Sequence, residues 1–318
     1  MKVSAHWRQP VLLLTAVSFV IGFFWFAFGY PVPIPRSPLG AGEKLPCVSY
    51  APVALPQNGG EDEAPVSPER IEADLARLAK HSACVRTYLT GLGLDRIPEI
   101  AERHGIVVLQ GIALGRDAER NRKEIDRAIA LARSNNASIR AFVAGSEVLS
   151  RKDMSESGLA ALIRQLRQET KLPVTYADGP EVWSGAGLMA EVADFITIKT
   201  EFYQAKYPVA ASEAVRRMLE AHTKIVAKYR DEKAIFIEAG WPSAGRMRGG
   251  ALPSPANQAL VLHELIAAAI ARNVQPIIFE GIDQPWRKRI MGTAAGHWGL
   301  LEADDGALKF RWGGEISN

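Results

Sequence analysis

The sequence predicts a (β/α)8 TIM barrel preceded by one N-terminal transmembrane helix. After residue 45, short apolar runs alternate with amphipathic helical patterns, which is typical of a parallel sheet buried on both faces. The length that remains, roughly 270 residues, suits one barrel of about 250 residues. A doubly wound open sheet is the alternative, but it usually carries a phosphate-binding glycine loop, and the candidate Gly91-Leu92-Gly93 lacks a third glycine in register.

The N-terminal helix is predicted from a long stretch without charge. Residues 10–35 contain no charged side chain, and a helix needs about 20 apolar residues to cross a bilayer. Lys2 and Arg8 precede this stretch, and Trp25 and Tyr30 lie toward its far end, so the positive-inside rule predicts a cytoplasmic N-terminus. A cleaved signal peptide is the alternative, although its apolar core is usually only about 7 to 15 residues long.

Three segments are therefore predicted. Residues 1–30 form a cytoplasmic tip and a transmembrane signal-anchor, residues 31–45 form a proline- and glycine-rich tether, and residues 46–318 form the barrel domain. Closely spaced prolines favour an extended and stiff chain, so the tether is expected to hold the barrel away from the membrane.

The barrel elements follow from apolar runs and helix signals. Ser67-Pro68 is expected to open the first barrel helix, with Ile71, Leu75 and Leu78 on its buried face. The predicted strands lie near residues 47–50, 84–88, 106–111, 139–147, 173–178, 194–199, 235–238 and 276–280. The predicted helices after the first are residues 96–104, 117–134, 155–170, about 210–229, and a last one from Ser254-Pro255 to Ile270.

Composition excludes several classes of partner. The 318 residues are 47% hydrophobic and carry a formal net charge of only +3, so nucleic acid is not an expected ligand. Basic residues concentrate in segments such as 116–133, where acids are interleaved, as on a solvated helix face. The histidines at 81, 104, 222, 263 and 297 lack metal-ligand spacing, so neither a metal nor another cofactor is expected.

Two cysteines, Cys47 and Cys84, each begin a predicted strand. The two strands are neighbours in a parallel barrel, so a disulfide is geometrically reasonable in an exported domain. Two buried free thiols are the alternative, and the sequence leaves both open.

Two glutamates are expected to meet at one face of the barrel. Glu147 and Glu238 each end an apolar run, and the carboxyl ends of all barrel strands converge. Paired carboxylates suit glycosidic bond cleavage, because one protonates the leaving oxygen while the other attacks the anomeric carbon. In retaining enzymes the two carboxyl groups lie about 5 to 5.5 Å apart. The alternative for each is a structural salt bridge. The polar residues expected at this face are Tyr50, Tyr88, Glu147, Tyr176, Glu238 and Glu280.

Four motifs resemble glycoside hydrolase family 17, the β-1,3-glucanase family, in order and spacing. They are Gly145-Ser146-Glu147-Val148-Leu149, Glu238-Ala239-Gly240-Trp241-Pro242-Ser243, Phe279-Glu280-Gly281-Ile282-Asp283-Gln284-Pro285-Trp286 and Gly296-His297-Trp298-Gly299-Leu300. The resemblance covers residues 47 to about 312 and implies a retaining TIM barrel. In such a barrel Glu147 is the acid/base and Glu238 is the nucleophile.

Further side chains are predicted to support the two glutamates or to bind substrate. Arg86 is expected to keep Glu238 ionised, with Glu280 as its alternative partner. Similarity to retaining barrels implies that Tyr203 hydrogen-bonds the nucleophile. Trp183, Trp241 and Trp286 follow strands and offer apolar faces to sugar rings. Rim packing is the alternative for Trp241 and Trp286, with sugar contact favoured for Trp286. The predicted substrate-binding residues are Tyr50, Arg86, Tyr88, Ser146, Tyr176, Trp183, Tyr203, Trp241, Glu280, Asp283 and Trp286.

The chain departs from the family pattern at three places. Ser146 stands where the family commonly has Asn beside the acid/base, Lys199 where strand six often has His, and Asp283-Gln284 where a pair of acids is usual. These changes affect expected efficiency and linkage preference more than the expected fold.

The predicted function is that of a retaining glycoside hydrolase or transglycosylase on β-1,3-glucan, with β-1,3/1,6-glucan as a related substrate or product. Transfer is slightly favoured over hydrolysis. The expected location is the inner membrane, single-pass, with a periplasmic or otherwise extracytoplasmic barrel. The alternative is a catalytically silent glucan-binding barrel that is accessory to a membrane glucan synthase, which Ser146 and Lys199 keep open.

Overall fold

The computed structural model describes residues 7–28, 36–40, 42–52, 65–134, 136–185, 187–229, 233–304 and 306–310. They belong to two compact units, Met1–Pro33 and Ile34–Asn318. Lys2, Tyr30 and the first part of the predicted tether, residues 31–35, lie outside the described residues.

The first unit contains a helix, α1 (Arg8–Phe28). Its segment Arg8–Ala27 has a mean hydropathy of 2.2, so by length and composition it is able to cross a membrane. A signal sequence near an N-terminus meets the same criteria. The helix therefore agrees with both alternatives that the sequence left open.

The second unit is a closed barrel of eight parallel strands in sequential order. Its strands are β1 (Val48–Ser49), β2 (Cys84–Arg86), β3 (Val107–Ile112), β4 (Ile139–Ser146), β5 (Val174–Asp178), β6 (Ile196–Thr200), β7 (Ile235–Ala239) and β8 (Gln275–Ile278). The barrel closes where Val48 in β1 pairs with Ile278 in β8. The predicted TIM barrel is confirmed, and the carboxyl ends of its strands lie on one face.

Helices follow the strands and cover the barrel. They are α2 (Pro68–Leu78), α3 (Ile97–Arg103), α4 (Ala118–Arg133), α5 (Glu156–Thr170), α6 (Pro180–Gly185), α7 (Gly187–Val192), α8 (Ala211–Tyr229), α9 (Pro255–Arg272) and α10 (Lys288–Met291). Ser67, Ser155 and Ser254 cap α2, α5 and α9 by accepting a hydrogen bond from a backbone N–H in the first turn. The predicted helix starts at Ser67 and Ser254 are confirmed.

Side chains alternate between the barrel axis and the surrounding helices along each strand. In β4, Ala141 and Val143 belong to an inner cluster, whereas Phe142 between them belongs to an outer cluster packed against helices. The inner cluster consists of Cys47, Cys84, Leu109, Ala141, Val143, Ala177, Phe195 and Ile277. This alternation decides which residues at the strand ends reach the open face.

The inner cluster contains a disulfide between Cys47 and Cys84, whose Cα atoms are 4.3 Å apart. Val48 in β1 pairs with Val85 in β2, so the residue preceding each lies beside the other on adjacent strands. Of the two alternatives left by the sequence, the structure has the disulfide. The bond links residues separated by 37 positions.

Breaking this disulfide is expected to destabilise the barrel. Closing a loop of this length restricts the unfolded chain, and the expected loss in unfolding free energy is about 3 to 4 kcal/mol. Denaturation of the full-length protein in detergent, with and without reductant, measures the loss. The C47S/C84S variant serves as control, because its transition should be lowered to a similar extent and should not respond to reductant. An unchanged wild-type transition under full reduction contradicts the prediction.

Candidate active site

Glu147 lies directly after β4, on a backbone that turns sharply. It adopts a left-handed conformation with φ of 58°, and Gly145 before it has φ of 82°. A Cβ at Gly145 would stand 2.6 Å from Val148 Cγ2, so this turn requires glycine. A left-handed glutamate is uncommon and costs about 1 to 2 kcal/mol, a type of strain that concentrates at functional sites. The Glu147 side chain is 46% exposed at the open face of the barrel.

Glu238 in β7 is fully buried, and two residues of the β2 region approach its carboxylate. Tyr88 Oη donates a hydrogen bond of 2.8 Å to Oε1, and Arg86 Nε lies 3.8 Å from Oε2. Burial raises the pKa of Tyr88 well above its ordinary value, and the charge on Glu238 raises it further, so Tyr88 remains a donor at neutral pH. The buried carboxylate therefore has a cation and a fixed donor beside it.

Glu280, the alternative partner of Arg86, is paired elsewhere. Arg287 Nη1 donates to both of its carboxylate oxygens, at 3.0 and 2.9 Å. Burial raises the pKa of Glu280 to about 8, with Arg287 acting in the opposite direction. Arg86 thus faces Glu238, and its guanidinium stacks 3.8 Å above the Tyr88 ring.

Lys199 in β6 connects the two glutamate positions. Its Nζ lies 2.8 Å from Glu147 Oε2 and 3.4 Å from Glu201 Oε1, and it pairs in register with Glu238 in β7. Burial alone would lower the pKa of Lys199, but the charges of Glu201, Glu238 and Glu147 outweigh it and raise the pKa. Lys199 is therefore an ammonium ion at physiological pH.

The sequence analysis noted Lys199 only as a departure and did not predict Glu201 or Arg287. Glu201 was identifiable in principle, because two residues after Lys199 the chain continues on the same face of the strand. Arg287 lies beyond β8, in a short helical turn whose direction no periodicity in the sequence reveals. Glu201 thus reaches the open face by strand alternation, and Arg287 reaches it through loop geometry.

A cleft of about 280 Å³ opens between these residues. Its lining is Tyr88, Ser146, Glu147, Arg151, Lys199, Glu201, Gln204, Phe279, Arg287, Met291, Ala295 and Trp298. Gln204, Met291 and Ala295 also line a second pocket of about 700 Å³, formed by the loops after β6, β7 and β8. The cleft and this second pocket therefore adjoin.

Several polar atoms in the cleft lining or directly behind it are buried without a hydrogen bond among the described residues. They include Ser146 Oγ, Trp298 Nε1, Glu238 Oε2 and two guanidinium nitrogens of Arg86. Buried polar groups in proteins are nearly always paired, so a cluster of unpaired ones at a cleft indicates a polar ligand. Ser146 thus lies where the sequence predicted a contact.

Two tyrosines predicted at the cleft point away from it. Tyr50 is buried and donates to Asp74 Oδ2 in α2 at 3.2 Å. Tyr176 is buried in the outer cluster, donates to Asp178 and accepts from the Leu149 N–H at 2.8 Å. The prediction was wrong because it considered the strand ends without the alternation. Both residues lie at positions that face the helices.

Sugar contact is contradicted for Trp183 and Trp241, and the predicted hydrogen bond from Tyr203 to the nucleophile is not made. Tyr203 lines the second pocket, so its contact with substrate stays a prediction. Trp183 and Trp241 are fully buried, and their indoles donate to the carbonyls of Thr197 at 3.0 Å and Leu252 at 3.1 Å. Neither presents a ring face to a sugar. The Tyr203 hydroxyl donates to the Arg246 carbonyl instead of Glu238, and its ring packs edge-on against Trp241.

The last two predicted residues lie beyond β8. Asp283 is buried, accepts a hydrogen bond from the Gly299 N–H at 2.7 Å and forms an ion pair with Lys309 at 2.7 Å. Its carboxylate is therefore bound within the protein. Trp286 is half-buried and donates to Gln284 Oε1 at 2.7 Å. It is absent from the cleft lining, and its contact with sugar stays a prediction.

Residues 47–299 match the model of the BtgE/BtgC glycoside hydrolase domain. The chain belongs to this family. The family domain spans all eight strands of the barrel, together with Glu147, Glu238 and the cleft between them. The glycoside hydrolase relationship predicted from the four motifs is confirmed.

Relatives of this BtgE/BtgC domain include two yeast enzymes. The glucan 1,3-beta-glucosidase BGL2 of Candida albicans is 27% identical over 258 residues, which cover 74% of this chain and 83% of the relative. A glucan 1,3-beta-glucosidase of Saccharomyces cerevisiae is 23% identical over 258 residues, covering 74% and 82%.

A solved structure shares the fold. It is an active-site mutant of the Rhizomucor miehei beta-1,3-glucanosyltransferase in complex with laminaritriose, with a TM-score of 0.73 and 20% identity. The similarity covers 85% of this chain and 97% of that one. At this identity the likeness establishes the shared barrel.

Proposed function

We propose that this protein is a retaining glycoside hydrolase or transglycosylase that acts on β-1,3-glucan. The observation that carries the proposal is a cleft lined by Glu147 and Tyr88, with the buried Glu238 directly behind it, hydrogen-bonded to Tyr88 and facing Arg86. The names of the yeast relatives and of the Rhizomucor enzyme support β-1,3-linked glucose as the substrate.

Both glutamates act in each of the two half-reactions. Glu238 attacks the anomeric carbon, the glycosidic C–O bond breaks, and Glu147 gives its proton to the leaving oxygen. Glu147 then takes a proton from water or from a sugar hydroxyl, whose oxygen displaces Glu238 from the anomeric carbon. The unpaired Ser146 Oγ and Trp298 Nε1 supply polar contacts for sugar hydroxyls in the cleft.

We favour transfer over hydrolysis because the cleft adjoins a second pocket that can hold an acceptor sugar. Incubation of the full-length protein with laminari-oligosaccharides of single length tests both points. Longer or branched products are expected, and their linkages identify the bond that is made. Shorter products alone would indicate a hydrolase. No change in the oligosaccharides would contradict the proposed activity.

One contact favours the alternative of a silent glucan-binding barrel. Lys199 Nζ lies 2.8 Å from Glu147 Oε2, so the side chain that would serve as the acid is held in an ion pair within the protein. If this pairing were permanent, the domain would bind glucan without cleaving it, as an accessory to a membrane glucan synthase. Glucan binding by an inactive wild-type protein would support this function. We prefer the enzyme because Glu147 lines the cleft and Glu238 lies behind it, hydrogen-bonded to the cleft residue Tyr88.

We further propose that α1 is retained as a membrane anchor. Residues 1–30 then form the cytoplasmic tip and the membrane span, residues 31–45 form the tether, and residues 46–318 form the extracytoplasmic barrel. Its apolar segment has the length of a membrane span, and a disulfide in the barrel suits an oxidising compartment. We infer an inner-membrane location with a periplasmic barrel. Sequencing the N-terminus of the mature protein tests the anchor, because cleavage after α1 would identify a signal peptide.

A further inference from the structure

One ammonium ion at the cleft is shared between two carboxylates. Lys199 Nζ is 2.8 Å from Glu147 Oε2 and 3.4 Å from Glu201 Oε1. The Lys199 side chain is 9% exposed and that of Glu201 is 16% exposed, so water screens this pair weakly. Both side chains come from β6 and the residue following it, whereas Glu147 comes from β4.

The other charged groups around the cleft already have partners. Glu238 faces Arg86 and Tyr88, and Glu280 faces Arg287. Arg151, which follows Glu147, is bonded to the Ser146 carbonyl and to Asp153. Among the described residues, Lys199 is the cation within ion-pair distance of Glu147 and of Glu201.

The proposed reaction changes the charge of Glu147 twice in each turnover. Glu147 is neutral before it protonates the leaving oxygen and is a carboxylate until it takes up a proton again. A fixed ammonium ion without a second carboxylate would favour only the charged form. A second carboxylate beside the same ammonium ion balances the positive charge while Glu147 is neutral.

We propose that Lys199 and Glu201 form a positioning pair that balances the charge at Glu147 in both halves of the reaction. Lys199 pairs with Glu201 while Glu147 holds its proton. When Glu147 has lost the proton to the leaving oxygen, the ammonium group pairs with Glu147, and it returns to Glu201 when the acceptor hydroxyl delivers the next proton. No bond to Lys199 or Glu201 forms or breaks. This inference rests on the proposed function and extends it.

The surroundings of Glu201 support this exchange. Burial raises its pKa, Lys199 lowers it, and the charges of Glu147 and Glu238 raise it further. The ionised form of Glu201 is therefore favoured when Glu147 is neutral and disfavoured when Glu147 is charged. The attraction between Lys199 and Glu201 is therefore least opposed while Glu147 is neutral, as the exchange of partners requires.

Two single substitutions should move the titration of Glu147 in opposite directions. Lys199→Met removes the cation and leaves Glu201, so Glu147 should keep its proton to higher pH by about one unit or more. Glu201→Gln leaves Lys199 uncompensated, so Glu147 should lose its proton at lower pH by about half to one unit. The double variant K199M/E201Q should titrate close to the wild type.

The measurement follows the carboxyl carbon of Glu147 by NMR in full-length protein in micelles, labelled at glutamate and assigned with the E147Q variant. It needs no turnover, so it tests the pair even if the proposed activity fails. In an active protein the basic limb of the kcat/KM profile should move with the same signs. K224M, on the exposed face of α8, is the matched control and should leave the midpoint unchanged.

Opposite shifts in the two single variants support the positioning pair. Shifts in the same direction, or midpoints that stay within the spread of the control, overturn it. A purely structural role would lower the unfolding transition of both variants without separating their titrations. Inactivity of the wild type on laminari-oligosaccharides overturns the proposed function and leaves the titration result to decide the pair.

Discussion

Glu238→Gln is expected to lower kcat on laminari-oligosaccharides by about 10⁴-fold or more, because an amide cannot form the glycosyl-enzyme. The amide oxygen retains the shape needed to accept the Tyr88 hydrogen bond. KM should change much less than kcat, since the sugar contacts remain. Initial rates of product release, with laminaritriose binding measured in parallel, check the prediction.

The same substitution removes the counter-charge of a buried arginine. Arg86 is 1% exposed, and an unpaired buried charge costs about 3 to 5 kcal/mol of stability. An unfolding experiment must therefore accompany the kinetics. Glu264→Gln on α9 is the control, because it removes a partly buried carboxylate outside the cleft. Retained activity in a folded E238Q protein would rule out Glu238 as the nucleophile.

Glu147→Gln is expected to separate substrates by their leaving groups. With laminari-oligosaccharides the rate should fall by about 10² to 10⁴-fold, because the sugar oxygen leaves without a proton donor. With a dinitrophenyl β-glucoside the first step needs no proton and should change little. The second step lacks its base, so the glycosyl-enzyme should accumulate after a burst of dinitrophenolate. Burst kinetics measure both steps.

The contrary result for E147Q is an equal loss on both substrates, which would assign proton transfer to another group. The E147Q protein is expected to stay folded, so its kinetics should report on the chemistry alone. The reason is that Glu147 is 46% exposed and its pairing with Lys199 is partly screened by water. Lys199 also keeps Glu201 as a partner in this variant.

The barrel and the two glutamates were predictable because both depend on pattern. Buried parallel strands produce continuous apolar runs, and an acidic residue at the end of such a run is visible in the sequence. The position of Glu147 directly after β4 and that of Glu238 near the end of β7 follow from this pattern. The cysteine pairing was left open because sequence gives the neighbouring strands but not the facing of their side chains.

The supporting residues were harder to predict because their orientation depends on alternation and on loops. Tyr50 and Tyr176 were expected at the cleft, but each lies one position out of phase with the barrel axis and bonds to a group in the outer layer. Sugar contact was expected of Trp183 and Trp241 because a tryptophan after a strand can present its ring to a ligand. A tryptophan at the same position can also be buried with its indole N–H bonded to a carbonyl, as both are here. A role for Glu201 at the site was not predicted, because a carboxylate two residues from a lysine is also typical of an ordinary structural ion pair.

Strand β2 gives the disulfide a meaning beyond stability. Cys84 and Arg86 are the first and last residues of β2, and Tyr88 follows two residues later. Arg86 and Tyr88 are the residues that approach Glu238. The covalent bond thus fixes the start of the segment that delivers the electrostatic environment of the nucleophile two and four residues later. A chain that has not passed into an oxidising compartment would hold these two side chains less firmly.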